Sequence, residues 1–199
     1  MNIVDLRITH DTARLRLRPF EPADRVPYGA YHARADVYRY LYARPPSGPD
    51  LDRQFADILE AAFERDGDTY RLAVVRKEDG ALLGEVLLKL ASLAALQGEV
   101  GYIFNPDFAG RGYATEAVAG MIGIGFETIG FHRIFARLDA ANAGSVGVVE
   151  RLGLRREAHL IQNDRFGGRW GDEFVYAVLR SEWRAKAVAD QRATPRGGG

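Results

Sequence analysis

Glu99-Val100-Gly101-Tyr102-Ile103-Phe104-Asn105-Pro106-Asp107-Phe108-Ala109-Gly110-Arg111-Gly112-Tyr113-Ala114-Thr115-Glu116 reads as a strand, a glycine loop and the start of a helix. The strand is expected over Gly98 to Phe104, with Asn105-Pro106-Asp107 ending it. Beyond the loop, Ala114, Ala117, Val118, Met121, Ile122 and Phe126 recur at helical spacing and predict an amphipathic helix to about Ile129. Gly110 and Gly112 permit positive φ and a close approach of backbone to ligand. A helix opening from such a loop offers amides without internal partners and the positive end of its dipole. An anion, phosphate above all, is the expected occupant, with Arg111 adding charge beside it. The same glycines also suit a tight strand-to-helix turn that binds nothing, and this stretch alone leaves both readings open. The loop matches neither G-x-x-x-x-G-K-S/T nor a G-x-G-x-x-G that opens a leading βαβ unit.

Working outward, the alternation of Ala13 to Arg18 predicts a first strand ended by Pro19, followed by a helix over Glu21 to Arg34 that contains Pro27. Tyr38 to Asp50 is tyrosine-rich and becomes a loop by composition at Pro45-Pro46-Ser47-Gly48-Pro49. Leu51 to Asp66 is expected as a second helix with Leu51, Phe55, Ile58, Leu59, Ala62 and Phe63 on one face. Two strands, Tyr70 to Arg76 and Leu82 to Leu90, precede the central stretch. A strand over Ile134 to Ala140, a helix over Ser145 to Leu152 and strands over Leu154 to Asn163 and Asp172 to Leu179 follow it. The order β-α-α-β-β-β-α-β-α-β-β predicts an α/β fold with a mixed sheet of about seven strands and helices on both faces. One domain is expected over residues 1–183, with 184–199 as a flexible tail. Gly120, Gly123 and Gly125 each weaken the helix behind the loop by roughly 1 kcal/mol relative to alanine. Close packing on the sheet or a homodimer contact would account for them.

The 199 residues carry 27 Lys plus Arg against 27 Asp plus Glu, so no net basic field draws in nucleic acid. Met1 to Asp11 holds no apolar run suited to a signal peptide, and no uncharged apolar run is long enough to span a membrane. The expected location is cytoplasmic. With no cysteine, thiolate metal sites and cysteine nucleophiles are excluded. His10, His32, His132 and His159 are scattered without ligand spacing, so no metal is expected.

Asn105 to Ala117 resembles motif A of the GNAT superfamily of N-acetyltransferases, Q/R-x-x-G-x-G/A, with Ala109, Gly112 and Ala114 at its three defining places. The variant N-P-x-x-x-G-x-G-Y-A-T-E-A is similar to the branch that acetylates ribosomal-protein N-termini (RimJ/RimL-like), where the first place is often neither Gln nor Arg. Thr12 to Phe20 resembles that branch's opening strand. Asn142-Ala143-Gly144-Ser145 with Val149-Glu150-Arg151-Leu152-Gly153-Leu154 resembles its N-x-x-S-x-x-V-x-E-K-x-G-F, and Arg156 to Trp183 its closing hairpin. The resemblance implies a GNAT fold with a splayed cofactor strand and a chain that binds acetyl-CoA. Cofactor contacts are then expected from Ile103, Phe104, Asn105, Ala109, Gly110, Arg111, Gly112, Tyr113, Ala114, Thr115, Asn142 and Ser145. It implies transfer of the acetyl group to a primary amine, of a protein N-terminus or a small molecule, by direct attack in a ternary complex. An acyl-CoA-binding sensor or interaction module without turnover is the alternative.

Direct attack needs an oxyanion donor, a base and an acid. The resemblance puts the donor among the backbone amides of Ile103 to Asn105, exposed where the strand splays. Glu99 is the first candidate base, Asp164 the second, and the Asp172 and Glu173 pair a third; His159 is expected simply to pack. The superfamily's tyrosine acid falls at Val149, so the role must move or be absent; the branch resemblance implies Ser145 as the alternative, a residue equally suited to satisfying helix donors. Tyr38, Tyr40, Tyr42, Phe166 and Trp170 are candidate acceptor-site walls, and Asp164, Asp172 and Glu173 candidate attractors of a cationic amine.

Overall fold

The computed structural model describes residues 8–193. Residues 1–7, most of the stretch read for a leader, and 194–199, the end of the expected tail, lie outside the described residues. In chain order the elements are β1 (His10–Asp11), β2 (Leu15–Arg18), α1 (Arg25–His32), α2 (Pro49–Leu59), β3 (Thr69–Arg76), β4 (Leu82–Ser92) and β5 (Gln97–Phe104). They continue with α3 (Tyr113–Ile124), β6 (Arg133–Asp139), α4 (Ala143–Arg151), β7 (Arg155–Phe166), β8 (Arg169–Leu179) and α5 (Arg180–Ala193). The sheet has eight strands in the order β1-β2-β3-β4-β5-β6-β8-β7. The strand beyond the expected seven is the two-residue β1.

Every neighbouring pair is antiparallel except β5 and β6. Those two run parallel and pair only from Gln97–Arg133 to Glu99–Phe135. Beyond that point β5 stays with β4 as far as Phe104, and β6 stays with β8 as far as Asp139. The two strands therefore part into a V with its vertex at Glu99, which is the splay that the motif resemblance implied.

Side-chain alternation divides the core in two. Leu72 and Val74 of β3 join Val86, Leu88, Val100 and the α3 residues Ala117, Val118 and Met121 on one face. Ala73 and Val75 join Phe20, Tyr28, Tyr31, Leu51 and Phe55 of the α1–α2 face. The helix expected over Leu51 to Asp66 stops at Leu59, which is 42% exposed. The Asp68 carboxylate accepts the Glu64 and Arg65 amides at 2.8 and 2.9 Å, offering that backbone a turn in place of another helical turn. Phe63 thereby leaves the α2 face and joins the opposite core beside Tyr70 and Phe131.

The α3 glycines are packing sites in two cases of three. A Cβ on Gly120 would sit 3.0 Å from Leu17, and one on Gly125 would sit 2.6 Å from Ile134, whereas Gly123 faces open space. At Gly125 the helix passes into a π-turn, Gly125–Ile129, closed by left-handed Gly130. Arg180–Ala193 is helical, covering the start of the segment expected as a tail, and Trp183 packs on the core with its ring 6.4 Å from Phe126. No helix of the described residues is long and apolar enough to cross a membrane.

Candidate active site

The mouth of the V, the α3 N-terminus and the α4 N-terminus together enclose a cavity of about 1110 Å³. Gly110 and Gly112 both adopt left-handed backbone, with φ of 75° and 77°. Gly112 is the N-cap of α3 and no side chain caps that end, so the first amides face outward into the cavity wall formed by Gly112, Tyr113, Ala114 and Thr115. Open space beside Gly110 leaves room for a ligand against its backbone. This end of α3 is locked from behind: Glu116 accepts from the Thr12 hydroxyl at 2.6 Å and from Arg14 Nε at 2.7 Å. Arg14 also lies 4.6 Å over the Tyr113 ring and donates to the Arg111 carbonyl at 2.9 Å. The Arg111 side chain is exposed and forms no part of the wall. Arg151 of α4 does line the cavity and donates to Thr115 Oγ1 at 3.2 Å, placing a second cation at the anion end.

Along β5, antiparallel bonding to β4 decides which amides are free. Asn105 N–H donates to the Leu83 carbonyl at 2.9 Å, and Ile103 lies opposite Glu85. Alternation therefore turns the Ile103 amide toward β4 as well and the Tyr102 and Phe104 amides toward the opening. Of the three amides expected to bind an oxyanion, Phe104 is thus the one that points into the V. Gly84 allows the two strands this closeness, since a Cβ there would meet the Phe104 backbone at 2.8 Å and the Ile103 carbonyl closer still. Arg34 clamps the next turn, donating to Asp107 at 2.7 Å and to Asp36 at 2.8 Å.

On α4, the Asn142 side chain caps the helix by accepting from the Ser145 amide at 3.1 Å, which leaves its NH2 for a ligand. The Tyr102 phenol donates to the Ser145 carbonyl at 2.9 Å, and both residues line the cavity. Burial pushes the Tyr102 phenol up to about 12, against a hydrogen bond from the Ser145 side chain and the Arg151 charge.

The carboxylates fall in different places. Glu99 is half-buried at the vertex, off the cavity wall, and burial raises its pKa against the pull of Arg137 and Lys89. Asp164 lies on the β7–β8 hairpin opposite Gly171; it does not line the wall itself, but its charge acts on Arg137, which does. Glu173 is buried and held by Arg137 through two bonds of 2.9 and 3.0 Å, so its oxygens are already engaged. His159 is partly exposed, packs edge-on against the Phe174 ring at 4.8 Å and bonds Asp172 at 2.7 Å. The Gln162 amide, followed by His159, holds the Asp172 carboxyl below its usual range.

Tyr38 and Tyr40 reach the wall as expected, whereas Phe166 and Trp170 sit exposed near the hairpin turn. Tyr42 is not a wall residue; its hydroxyl donates to Asp139 at 2.7 Å and lies over Gly171.

Glu85 was not among the expected residues. It is fully buried, accepts from Arg71 at 2.9 Å through one oxygen, and borders the cavity beside His32. His32 shares a 2.7 Å bond with the Tyr38 hydroxyl through Nδ1. The signal available in the sequence was a single carboxylate inside the apolar run Leu82 to Leu88.

A family model described as Acetyltransferase (GNAT) domain matches residues 14–155. Uncharacterized N-acetyltransferase YnaD of Bacillus subtilis (strain 168) is 29% identical, over 86% of this chain and 97% of its own. YdaF of the same organism, whose name provisionally assigns it a ribosomal N-acetyltransferase activity, is 29% identical over 76% of this chain and 74% of its own. Spermidine N(1)-acetyltransferase of Escherichia coli (strain K12) is 21% identical over 86% and 89%. Among solved structures, a GNAT-family acetyltransferase from Bacillus anthracis is 27% identical with a TM-score of 0.78, covering 88% of this chain and all of that one. Spermidine N-acetyltransferase from Vibrio cholerae, in complex with CoA and spermine, shares the fold at 21% identity and a TM-score of 0.75, over 87% of this chain and 99% of that one.

Proposed function

This chain belongs to the GNAT acetyltransferase family, and on that premise we propose that it acetylates a primary amine by direct attack within a ternary complex. It is an acetyl-CoA-dependent acetyltransferase. The observation that carries the mechanistic reading is the parting of β5 from β6 at Glu99, which frees the Phe104 amide beside the open α3 N-terminus.

The residues present fit acetyl-CoA, because an anion-binding helix end, a free strand edge and an amide side chain lie along one cavity. The group supplies an activated acetyl thioester when bound. Gly110, Gly112 and the amides of Tyr113 to Thr115 hold its pyrophosphate, with Arg151 adding charge. Asn142 would offer its NH2 to the pantetheine arm, and the Tyr102 N–H would pair with that arm as a missing neighbour strand would. Phe104 N–H would be the donor for charge that develops on the acetyl oxygen, already oriented before the reaction. Ser145, with Tyr102 against it, supplies the proton for the departing sulfur. The acceptor is a primary amine from a small molecule or a peptide N-terminus; the names of the spermidine acetyltransferases support the first and that of YdaF the second.

Release of free CoA from acetyl-CoA, measured across spermidine, an alanyl-initiated peptide and an aminoglycoside, tests this reading. Amine-dependent release is expected, and tight binding without release from any amine would overturn it. Ser145→Ala is expected to lower turnover at saturating acetyl-CoA by about tenfold to a hundredfold while Kd for acetyl-CoA changes little. An unchanged kcat would remove Ser145 from the mechanism.

A further inference from the structure

We propose that Glu85 is the group that receives the proton of the attacking amine, with His32 completing its seat. The proposal rests on the acetyltransferase reading above and assigns a residue within it.

Three buried polar atoms on the α1–α2 side have no hydrogen-bond partner: the Tyr31 hydroxyl, off the cavity wall, and, from residues that line the wall, Glu85 Oε2 and His32 Nε2. The latter two face each other at 3.8 Å, with the side chains 0% and 1% exposed. Glu85 Oε1 is held by Arg71 and His32 Nδ1 by Tyr38, so each residue is fixed through one atom and free at the other. A buried carboxylate oxygen left unbonded is expensive, and its persistence here has a reason if an incoming N–H completes it. Tyr28, Tyr31 and His32 from α1, Tyr38 from the following turn and Arg71 from β3 are the titratable and charged groups around Glu85. Gln54 of α2 also bonds to Tyr28 and His32.

Position decides between Glu85 and Glu99. Residues opposite each other on antiparallel strands share a face, so Glu85, across from Ile103, projects on the α1–α2 face at the level of the Ile103–Phe104 peptide, and both Glu85 and Phe104 line the cavity. Glu99 lies five residues down the strand from Phe104, about 17 Å at the usual rise per residue, a gap that only a water chain could cross. Glu85 sits on the neighbouring strand in register with Ile103, with no such run of strand between it and Phe104.

In the step, the amine nitrogen bonds to the acetyl carbon and the carbon–sulfur bond breaks with its electron pair on sulfur. The nitrogen's proton passes to Glu85 Oε2, and the thiolate takes a proton from the Ser145 side. The net change moves one proton from nitrogen to sulfur, and both groups reset by exchange with water.

Glu85→Gln keeps an oxygen for Arg71 and nearly the same volume. It is expected to lower kcat on the order of a hundredfold with the acetyl-CoA Kd, by calorimetry, within about threefold of wild type. Glu85→Asp, which retains the carboxylate, should recover part of the loss. A second readout needs no acetyl-CoA: spermidine added alone should shift the His32 ring resonances in wild type and not in Glu85→Gln. A wild-type enzyme silent on every amine overturns the acetyltransferase reading itself. An active wild type overturns the Glu85 assignment alone if Glu85→Gln keeps kcat within threefold, or if Glu85→Gln and Glu85→Asp both lose acetyl-CoA binding.

Discussion

Gly112→Val is expected to weaken acetyl-CoA binding by about a thousandfold, on the order of 4 kcal/mol, while the chain stays folded. Gly112 holds φ 77° and ψ 5° as the N-cap of α3, a conformation that a residue with a Cβ adopts at a cost of about 1–2 kcal/mol, and a β-branched one at more. The valine can relieve that strain only by rotating the peptides on either side of it, which turns the Tyr113 and Ala114 amides off the cavity. Each charge-assisted bond so lost to a pyrophosphate removes about 1.5–3 kcal/mol. Local packing makes folding tolerant, since the nearest atom to a Cβ at Gly112 is the Arg14 guanidinium at 3.5 Å, the far end of a flexible chain. Calorimetric titration with acetyl-CoA measures the loss, and a Kd within tenfold of wild type would mean that the phosphate does not bind at this helix end. Gly123→Ala is the matched control. It lies in the same helix beside open space, so it should bind acetyl-CoA normally and gain about 0.5–1 kcal/mol of stability.

That contrast between Gly112 and Gly123 shows what local sequence discloses and what it does not. Both left-handed glycines of the loop were legible because a strand, a Gly-x-Gly and an apolar helix face follow one another within a single stretch. The two cores were legible for the same reason: period-2 alternation in β3 sends Leu72 and Val74 one way and Ala73 and Val75 the other. The end of α2 was hidden, because the apolar spacing continues to Phe63 while Asp68 diverts the backbone of Glu64 and Arg65 into a turn.

Glu85 was hidden more deeply. Its significance lies in Arg71, His32 and Tyr38, brought to it by three different elements, and no spacing within β4 records them. Asp164, Phe166 and Trp170 differ in the opposite sense. Their residue types suit an acceptor site, but the register of β7 on β8 sets them toward the hairpin turn, and none of the three lines the cavity. Local pattern thus located the end of the cavity proposed to hold acetyl-CoA, much of which is contiguous in sequence. The end proposed for the acceptor is assembled by long-range contacts, and its chemistry is legible only in three dimensions.

Phe131→Ala is expected to destabilise the protein by about 3–5 kcal/mol, the range for deleting a fully buried aromatic ring. Phe131 is wedged where no other side chain fits: a Cβ on Gly98 would lie 2.6 Å from its ring and one on Gly125 3.4 Å from it, and Phe63 stacks edge-on at 6.4 Å. Gly98 is also the middle residue of the short β5–β6 pairing, opposite Ile134. The ring therefore supports the vertex of the V as well as the core, and its removal should loosen the point from which the two strands diverge. Urea unfolding should show the midpoint falling with the slope m unchanged, since the surface exposed on unfolding is nearly the same. If the ring carried only stability, saturating acetyl-CoA would raise the midpoint of wild type and variant by equal increments, because ligand linkage depends on Kd alone. A vertex that sets the width of the opening predicts a smaller increment in the variant, through a weaker Kd at a site that Phe131 does not touch. Equal increments would confine Phe131 to the core, and a loss under about 1 kcal/mol would show that Gly98 and Gly125 can close the gap themselves.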